Sequence, residues 1–359
     1  MFHYFRTPQG DVAQVAVSAD GMHWGEPRTT GVCGDNTSFF YNPFRKKWVF
    51  SIRTGLPTKW YSRGRSYYEC DDFMEGAAFT QEQLVFWQRC DEADLTACEP
   101  GTIYSRHLPP QLYHVNAVAY ESVMLGLFAI VKGLDQAHNA VCENSGVPKH
   151  IDLHAAFSRD GFHFSRDFRA PFIRCTDAEG DWNRGYLHAC GGLCLVSQDE
   201  LAFPVAGFSG ASPAEGAHLY GGASTGMALL RRDGFASLHA NGTLQYALTR
   251  KLRFAHGKYL FVNADSLRGF VRAQIEEEDG RPFEGFAFED CVPVVADGTK
   301  LPLRFCGGDL GRFCGRPIRI RFEMISADLY AFWVSADISG KSGGYVAAGG
   351  REYPGDRDV

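Results

Sequence analysis

Three polar residues stand where the surrounding pattern calls for apolar ones. Asp35 lies in Gly34-Asp-Asn-Thr, just ahead of the run Phe39-Phe-Tyr41. Asn116 interrupts Tyr113-His-Val-Asn-Ala-Val-Ala-Tyr120, and Asp152 interrupts His150-Ile-Asp-Leu-His-Ala-Ala-Phe-Ser158. A charge that enters an apolar strand is costly unless it has a task. Two carboxyl groups suffice for general acid–base cleavage, one holding a proton to give and the other free to take one or to attack. Asp152 and His154 share a face by the two-residue alternation of a strand, so each can shift the pKa of the other. Each position also has a plainer use: a strand-entry cap at Asp35, a satisfied buried amide at Asn116, an edge-strand carboxylate at Asp152.

Other chemistries find less support. No G-x-S-x-G elbow, phosphate-binding P-loop or G-x-G-x-x-G after a strand appears. Gly221-Gly-Ala-Ser-Thr-Gly226 is glycine-rich, but no helix pattern follows it to hold a phosphate. Cys190 and Cys194 flank a Gly-Gly turn, and a zinc site there needs two further ligands. Glu121 falls in a Tyr-Glu-Ser turn between two strand runs, which argues against a catalytic part.

The elements that must position these residues read as strands. Thr37 to Tyr41, Lys47 to Arg53, Ser66 to Cys70, Val115 to Tyr120, Val123 to Val131, Ile151 to Ser158, Gly192 to Ser197 and Glu200 to Phe208 are apolar runs bounded by Gly, Pro, Asn or Asp. A strand followed by Ser-x-Asp-Gly and an aromatic recurs. It appears as Val17-Ser-Ala-Asp-Gly-Met-His-Trp24 and as Phe157-Ser-Arg-Asp-Gly-Phe-His-Phe164, with weaker copies at Asp72 and Asp233. Asp-Gly suits a tight turn, and the aromatic folds back on the sheet. Such turns recurring along the chain predict the blades of a β-propeller over 1–236. From Asn241 the texture changes to Lys258–Ala264, Gly269–Glu277, Leu301–Phe305, Pro317–Met324 and Leu329–Val334, with clear alternation in Ile318-Arg-Ile-Arg-Phe-Glu-Met324. That pattern predicts a β-sandwich over 237–359.

Composition agrees. Of 359 residues, 45% are hydrophobic and 22% charged, with 40 Gly, 28 Phe, 15 Tyr and 6 Trp, a mixture suited to short strands and tight turns. A net charge of −6 argues against a nucleic-acid partner, and no apolar run is long enough for a membrane helix. Eleven cysteines without paired C-x-x-C spacing, and no apolar stretch in the first ten residues, point to a cytoplasmic setting.

These segments resemble bacterial relatives of the glycoside hydrolase family 32 and 43 superfamily. The stretches that carry the resemblance include Gly34–Arg53, Ala119–Phe128, Phe157–Phe164, Gly180–Gly185, Ser224–Ser237, Leu260–Ala264 and Asp328–Ser335, in order along the chain. The resemblance implies a five-bladed propeller followed by an accessory sandwich, and a glycosidase that cleaves a furanoside or similar sugar in the central pocket. The stretch ahead of the sandwich accommodates four blades of about 50 to 60 residues, so ring closure, including closure through a second copy, stays open.

By the same resemblance, three acids stand on innermost strands of different blades. Asp35 would be base or nucleophile, Asn116 would stand in place of a tuning Asp, and Asp152 would occupy the place of the acid. Trp182, Asn183 and His188, in Asp181-Trp-Asn-Arg-Gly-Tyr-Leu-His188, would line the rim, with His154 and Arg53 as further substrate contacts. Arg53 and Arg65 either hold a carboxylated sugar or are solvated at the surface. No cofactor is implied. An axial calcium held near His114, His154 and His188 is the one ion that such relatives suggest. Two departures among three acids leave a second reading, a glycan-binding or assembly protein without hydrolysis.

Overall fold

The computed structural model describes residues 2–55, 63–96, 110–132, 149–212, 216–217 and 220–359. The chain is all-β, built as propeller-type sheets followed by a sandwich. It divides into two compact units: residues 1–194 with 203–228, and residues 195–202 with 229–359. The boundary expected at 236 falls a few residues beyond this division, and the short segment 195–202 was not anticipated in the second unit.

The first unit consists of consecutive antiparallel sheets. Strands β1 (Phe2–Thr7), β2 (Gly10–Val15) and β3 (Arg28–Thr29) form one. Next come β4 (Ser38–Asn42), β5 (Lys47–Gly55), β6 (Arg63–Cys70) and β7 (Val85–Arg89), paired in that order. Helices α1 (Phe73–Gly76) and α2 (Glu92–Thr96) are single turns beside this sheet. Asp72 caps α1 by accepting from the Glu75 N–H. Strands β8 (Gln111–Glu121), β9 (Val123–Val131) and β10 (Ile151–Ser158) form the following sheet, in the order β10-β9-β8. Then β11 (Gly185–Ala189) pairs with the 205–208 portion of a longer strand, Glu200–Phe208.

Both full copies of the Ser-x-Asp-Gly turn adopt one construction. Asp20 Oδ1 accepts from the N–H groups of Met22 and His23, each at 2.8 Å. Asp160 Oδ1 accepts from Phe162 (2.9 Å) and His163 (2.8 Å), and Gly21 and Gly161 take the left-handed conformation at φ +74° and +78°. Phe162 and Phe164 pack against Trp87, tying the second turn to the neighbouring sheet. An aromatic core of Phe39, Phe50, Phe73 and Phe79 fills the sheet β4–β7.

The second unit is a sandwich of two sheets. Leu238–Ala240, Ala327–Ser335, Tyr259–Asp265, Asp297–Phe305 and Cys291–Val292 pair in that order, and Gln245–Leu248, Arg319–Ile325 and Phe270–Glu276 form the other sheet. Val262, Ala273, Ile320 and Phe322, from both sheets, meet in a core that Phe286 and Phe313 complete.

Candidate functional site

The first unit gathers an unusual set of cations at one end of sheet β4–β7. Arg53 on β5 stands directly opposite Arg65 on β6, and Arg63 lies two residues before Arg65. Strand alternation therefore puts all three guanidinium groups on one face. Like charges placed directly opposite each other destabilise a sheet, so the arrangement is not a packing preference. Asp35, whose side chain is 41% exposed, forms an ion pair with Arg53. Arg65 is wholly buried and donates from Nη2 to the carbonyl of Asn36, a residue held at φ +58°. Its Nε and Nη1 find no hydrogen-bond partner, nor does Nη1 of Arg63. Burial, with Arg53 alongside, pushes the Arg65 guanidinium down to about 9.

Two tyrosines face this end. Tyr113 is the extra residue of a bulge in β8, where the pairing register shifts between Leu112 and His114. Tyr186 lies in a second bulge, between Gly185 and His188, at φ +56°. Bulges re-aim side chains, and a bulky residue in the left-handed region is strained unless its surroundings hold it there. Both devices point these rings at each other: the hydroxyls of Tyr113 and Tyr186 are 2.8 Å apart. Arg63 lies over the Tyr113 ring at 5.1 Å, and Lys149 lies over both rings at 5.8 and 5.4 Å. His188 meets the two rings edge-on, at 5.7 and 4.7 Å. Burial and the Lys149 charge lower His188 to about 4. His114 is also driven well below its ordinary value by burial and by Arg65, and its Nδ1 has no partner.

Asp152 occupies a different place from the one expected. It belongs to β10 and Asn116 to β8, so both lie in one sheet, and β9 separates them. Asp152 is level with Ile130 and hence with Leu112, four residues before Asn116, which puts the two Cα atoms roughly 15 Å apart. The expected arrangement, with these two on innermost strands of separate blades, is corrected on that ground. The Asp152 carboxylate is fully buried and fully engaged. Lys132 Nζ (3.0 Å) and His150 Nε2 (3.1 Å) meet Oδ2, while the Cys175 N–H donates to Oδ1 at 2.9 Å. His150 also reaches Asp177 at 3.1 Å. These partners outweigh the cost of burial and hold the Asp152 carboxyl well below the usual range.

The other expected contacts are spread over the first unit. Asn116 is nearly buried, and its Oδ1 accepts from the Ala117 N–H at 2.9 Å. His154 is buried on the face of Asp152, opposite Phe128, with no hydrogen-bond partner at either ring nitrogen. Burial lowers it to about 4. Trp182 is 39% exposed, its ring laid against Gly226, where an added Cβ would meet it at 2.6 Å. Asn183 is half-buried in the loop before β11, where its carbonyl accepts from the Thr176 N–H at 2.9 Å. Glu121 lies in the β8–β9 turn at φ +49°.

Among the described residues, His150, Asp152 and Cys175 form the one group of metal-ligating atoms close enough for an ion. Lys132 already places a cation on that carboxylate, so the donor set is neutralised from within. His114, His154 and His188, considered above for an axial calcium, do not form such a group. The sequence pattern left out Arg63, Tyr113, Tyr186, Lys149, Lys132 and Cys175. An Arg-x-Arg alternation at 63–65 was the one available signal for the first.

No known family's sequence profile matches the chain, and no curated protein matches it. Solved structures do. One is an N-acetylgalactosamine deacetylase from F. plautii in complex with blood group B trisaccharide. It shows 13% identity over 63% of this chain and 66% of that one, just under two thirds of its length, with a TM-score of 0.41. A family 43 arabinoxylan arabinofuranohydrolase from Bacillus subtilis aligns over 93% of this chain and 78% of its own, at 8% identity and TM-score 0.28. A fructofuranosidase from Schwanniomyces occidentalis aligns over 92% and 77%, at 10% and 0.32. No residue role passes between chains at these identities. Among the described residues, no helix is long and apolar enough to cross a membrane.

Proposed function

We propose that the protein binds carbohydrate at the arginine–tyrosine end of its first unit, on a glycosidase-like fold, and that it does so without paired-carboxylate hydrolysis. The observation that carries this reading is the state of Asp152. A general acid must still hold its proton near neutral pH, which needs a raised pKa. Here an ammonium, an imidazole and a backbone N–H keep the carboxylate charged and occupy both of its oxygens. Asp35 is left as a lone carboxylate paired with Arg53.

Sugar as the ligand class is supported by the family resemblance in the first unit and by the chemistry of the cluster. Sugars are held by flat aromatic faces together with planar donors, and Tyr113, Tyr186 and the arginines supply both. The deciding experiment pairs a glycan array with a panel of aryl furanosides and pyranosides. Binding without turnover is the expected result. Hydrolysis that disappears in both Asp35→Asn and Asp152→Asn, with circular dichroism unchanged, would establish a glycosidase instead.

A further inference from the structure

Among the described residues, the three arginines of the cluster carry more positive charge than the acids paired with them. Arg53, Arg63, Arg65 and Lys149 converge on Tyr113 and its neighbours, and the acid seen to pair with any of the three arginines is Asp35, at Arg53. Arg65 is a buried guanidinium with two nitrogens unpartnered, and Arg63 adds a third such nitrogen. Leaving buried donors and a buried charge unmet is expensive, and proteins retain the arrangement where something else meets them. A guanidinium presents parallel N–H groups that match the oxygens of a carboxylate, phosphate or sulfate. Two arginines two residues apart on one strand, with a third across from them, repeat that match on one face.

We propose that Arg53, Arg63 and Arg65, backed by Lys149 and the paired tyrosines, form an oxyanion subsite that selects acidic sugars over their neutral counterparts. The proposal rests on the carbohydrate reading and names the substrate class: a sugar bearing a uronic carboxylate, or a sulfate or phosphate ester. Arg53, about one third exposed, meets solvent, while Arg65, directly across from it, is wholly buried. The Asp35 carboxylate orients Arg53, and the Asn36 carbonyl orients Arg65, which leaves the remaining N–H groups for the ligand.

The test is calorimetric titration with galacturonate, galactose 6-sulfate, galactose and inorganic sulfate, on wild type and on Arg63→Gln, with thermal melts in sulfate as a second readout. Arg63 is chosen because, unlike Arg65, it is not wholly buried. Wild type is expected to bind at least one acidic sugar tenfold or more tighter than galactose. Arg63→Gln should remove that preference while its melting temperature without ligand stays within a few degrees. Galacturonate binding in preference to the sulfate ester would identify a uronate site, and the reverse order an ester site. Equal affinity for acidic and neutral sugars overturns the subsite and leaves the carbohydrate reading standing. Stabilisation by sulfate that Arg63→Gln abolishes, with no sugar bound, overturns the carbohydrate reading and leaves an oxyanion site. Loss of neither sugar preference nor sulfate stabilisation in Arg63→Gln overturns the assignment of these residues.

Discussion

Asp152 and Arg65 are both fully buried charges in the first unit, and they are treated in opposite ways. Asp152 meets an ammonium, an imidazole and a backbone N–H, so each oxygen is used. Arg65 meets one carbonyl and leaves two nitrogens unmet, beside two further arginines. A buried charge that is fully answered from within has a structural task, and chemistry with a ligand would first have to dismantle that task. A buried charge left partly unanswered is where a ligand gains most. Polar residues in apolar strands look alike in a sequence, and only the partners tell these two cases apart.

The largest effect should come from disturbing the answered charge. Asp152→Asn leaves Lys132 buried beside a neutral amide, and breaking a buried pair this way costs about 3–5 kcal/mol. Urea denaturation at pH 7 measures it. The sign with pH follows from the depressed carboxyl: its stabilisation is present above the unfolded pKa and fades as pH falls below about 4. The gap between wild type and variant should therefore close in acid. A variant as stable as wild type at pH 7 would show that Asp152 is not a structural hub and would reopen its catalytic reading.

Next in size is His154, a buried imidazole without partners that lies near Asp152, Lys132 and the Arg166–Asp94 pair. Its folded pKa of about 4 lies below the unfolded value near 6.5, so between these limits the unfolded chain binds the extra proton. Stability is then fully present above pH 6.5 and is lost as pH falls towards 4, by about 3 kcal/mol for this group. His154→Phe, which removes the titration and keeps a ring opposite Phe128, should flatten the stability profile across that window. Unchanged slopes in wild type and variant would place the acid sensitivity elsewhere.

Much of the framework was legible before the structure. Val123–Val131, Ile151–Ser158 and Glu200–Phe208 have the expected bounds, because continuous apolar runs between turn residues leave little choice. The backbone of the twin Ser-x-Asp-Gly turns also read correctly, since its hydrogen bonds are local: Asp20 and Asp160 each accept from the N–H groups two and three residues on. The aromatic expected to fold back after the first turn, Trp24, is instead exposed. The site was harder to read. The start of β6, Arg63-Gly-Arg, has the polarity of a loop, and the bulges that turn Tyr113 and Tyr186 together lie in separate sheets, on residues far apart in the chain. Asp152 looked like a catalytic acid because nothing local reveals that Lys132, across a long stretch of sequence, closes on it. Spacing gives alternation along a strand, whereas the choice between structural and ligand-facing charge is made by non-local pairing.

The smallest effect sharpens the comparison most. Arg65→Met removes a buried guanidinium whose desolvation is only partly offset, and replaces it with an apolar chain of similar reach. The lost bond to the Asn36 carbonyl costs on the order of 1 kcal/mol, and relief of the Arg53–Arg65 repulsion works in the other direction. Net stability in ligand-free buffer should stay within about 1 kcal/mol of wild type, against the several lost at Asp152. Inorganic sulfate should raise the melting temperature of wild type and leave that of Arg65→Met nearly still. A loss as large as that of Asp152→Asn, in the absence of any anion, would mean that Arg65 is answered from within after all, and the contrast between the two charges would fail.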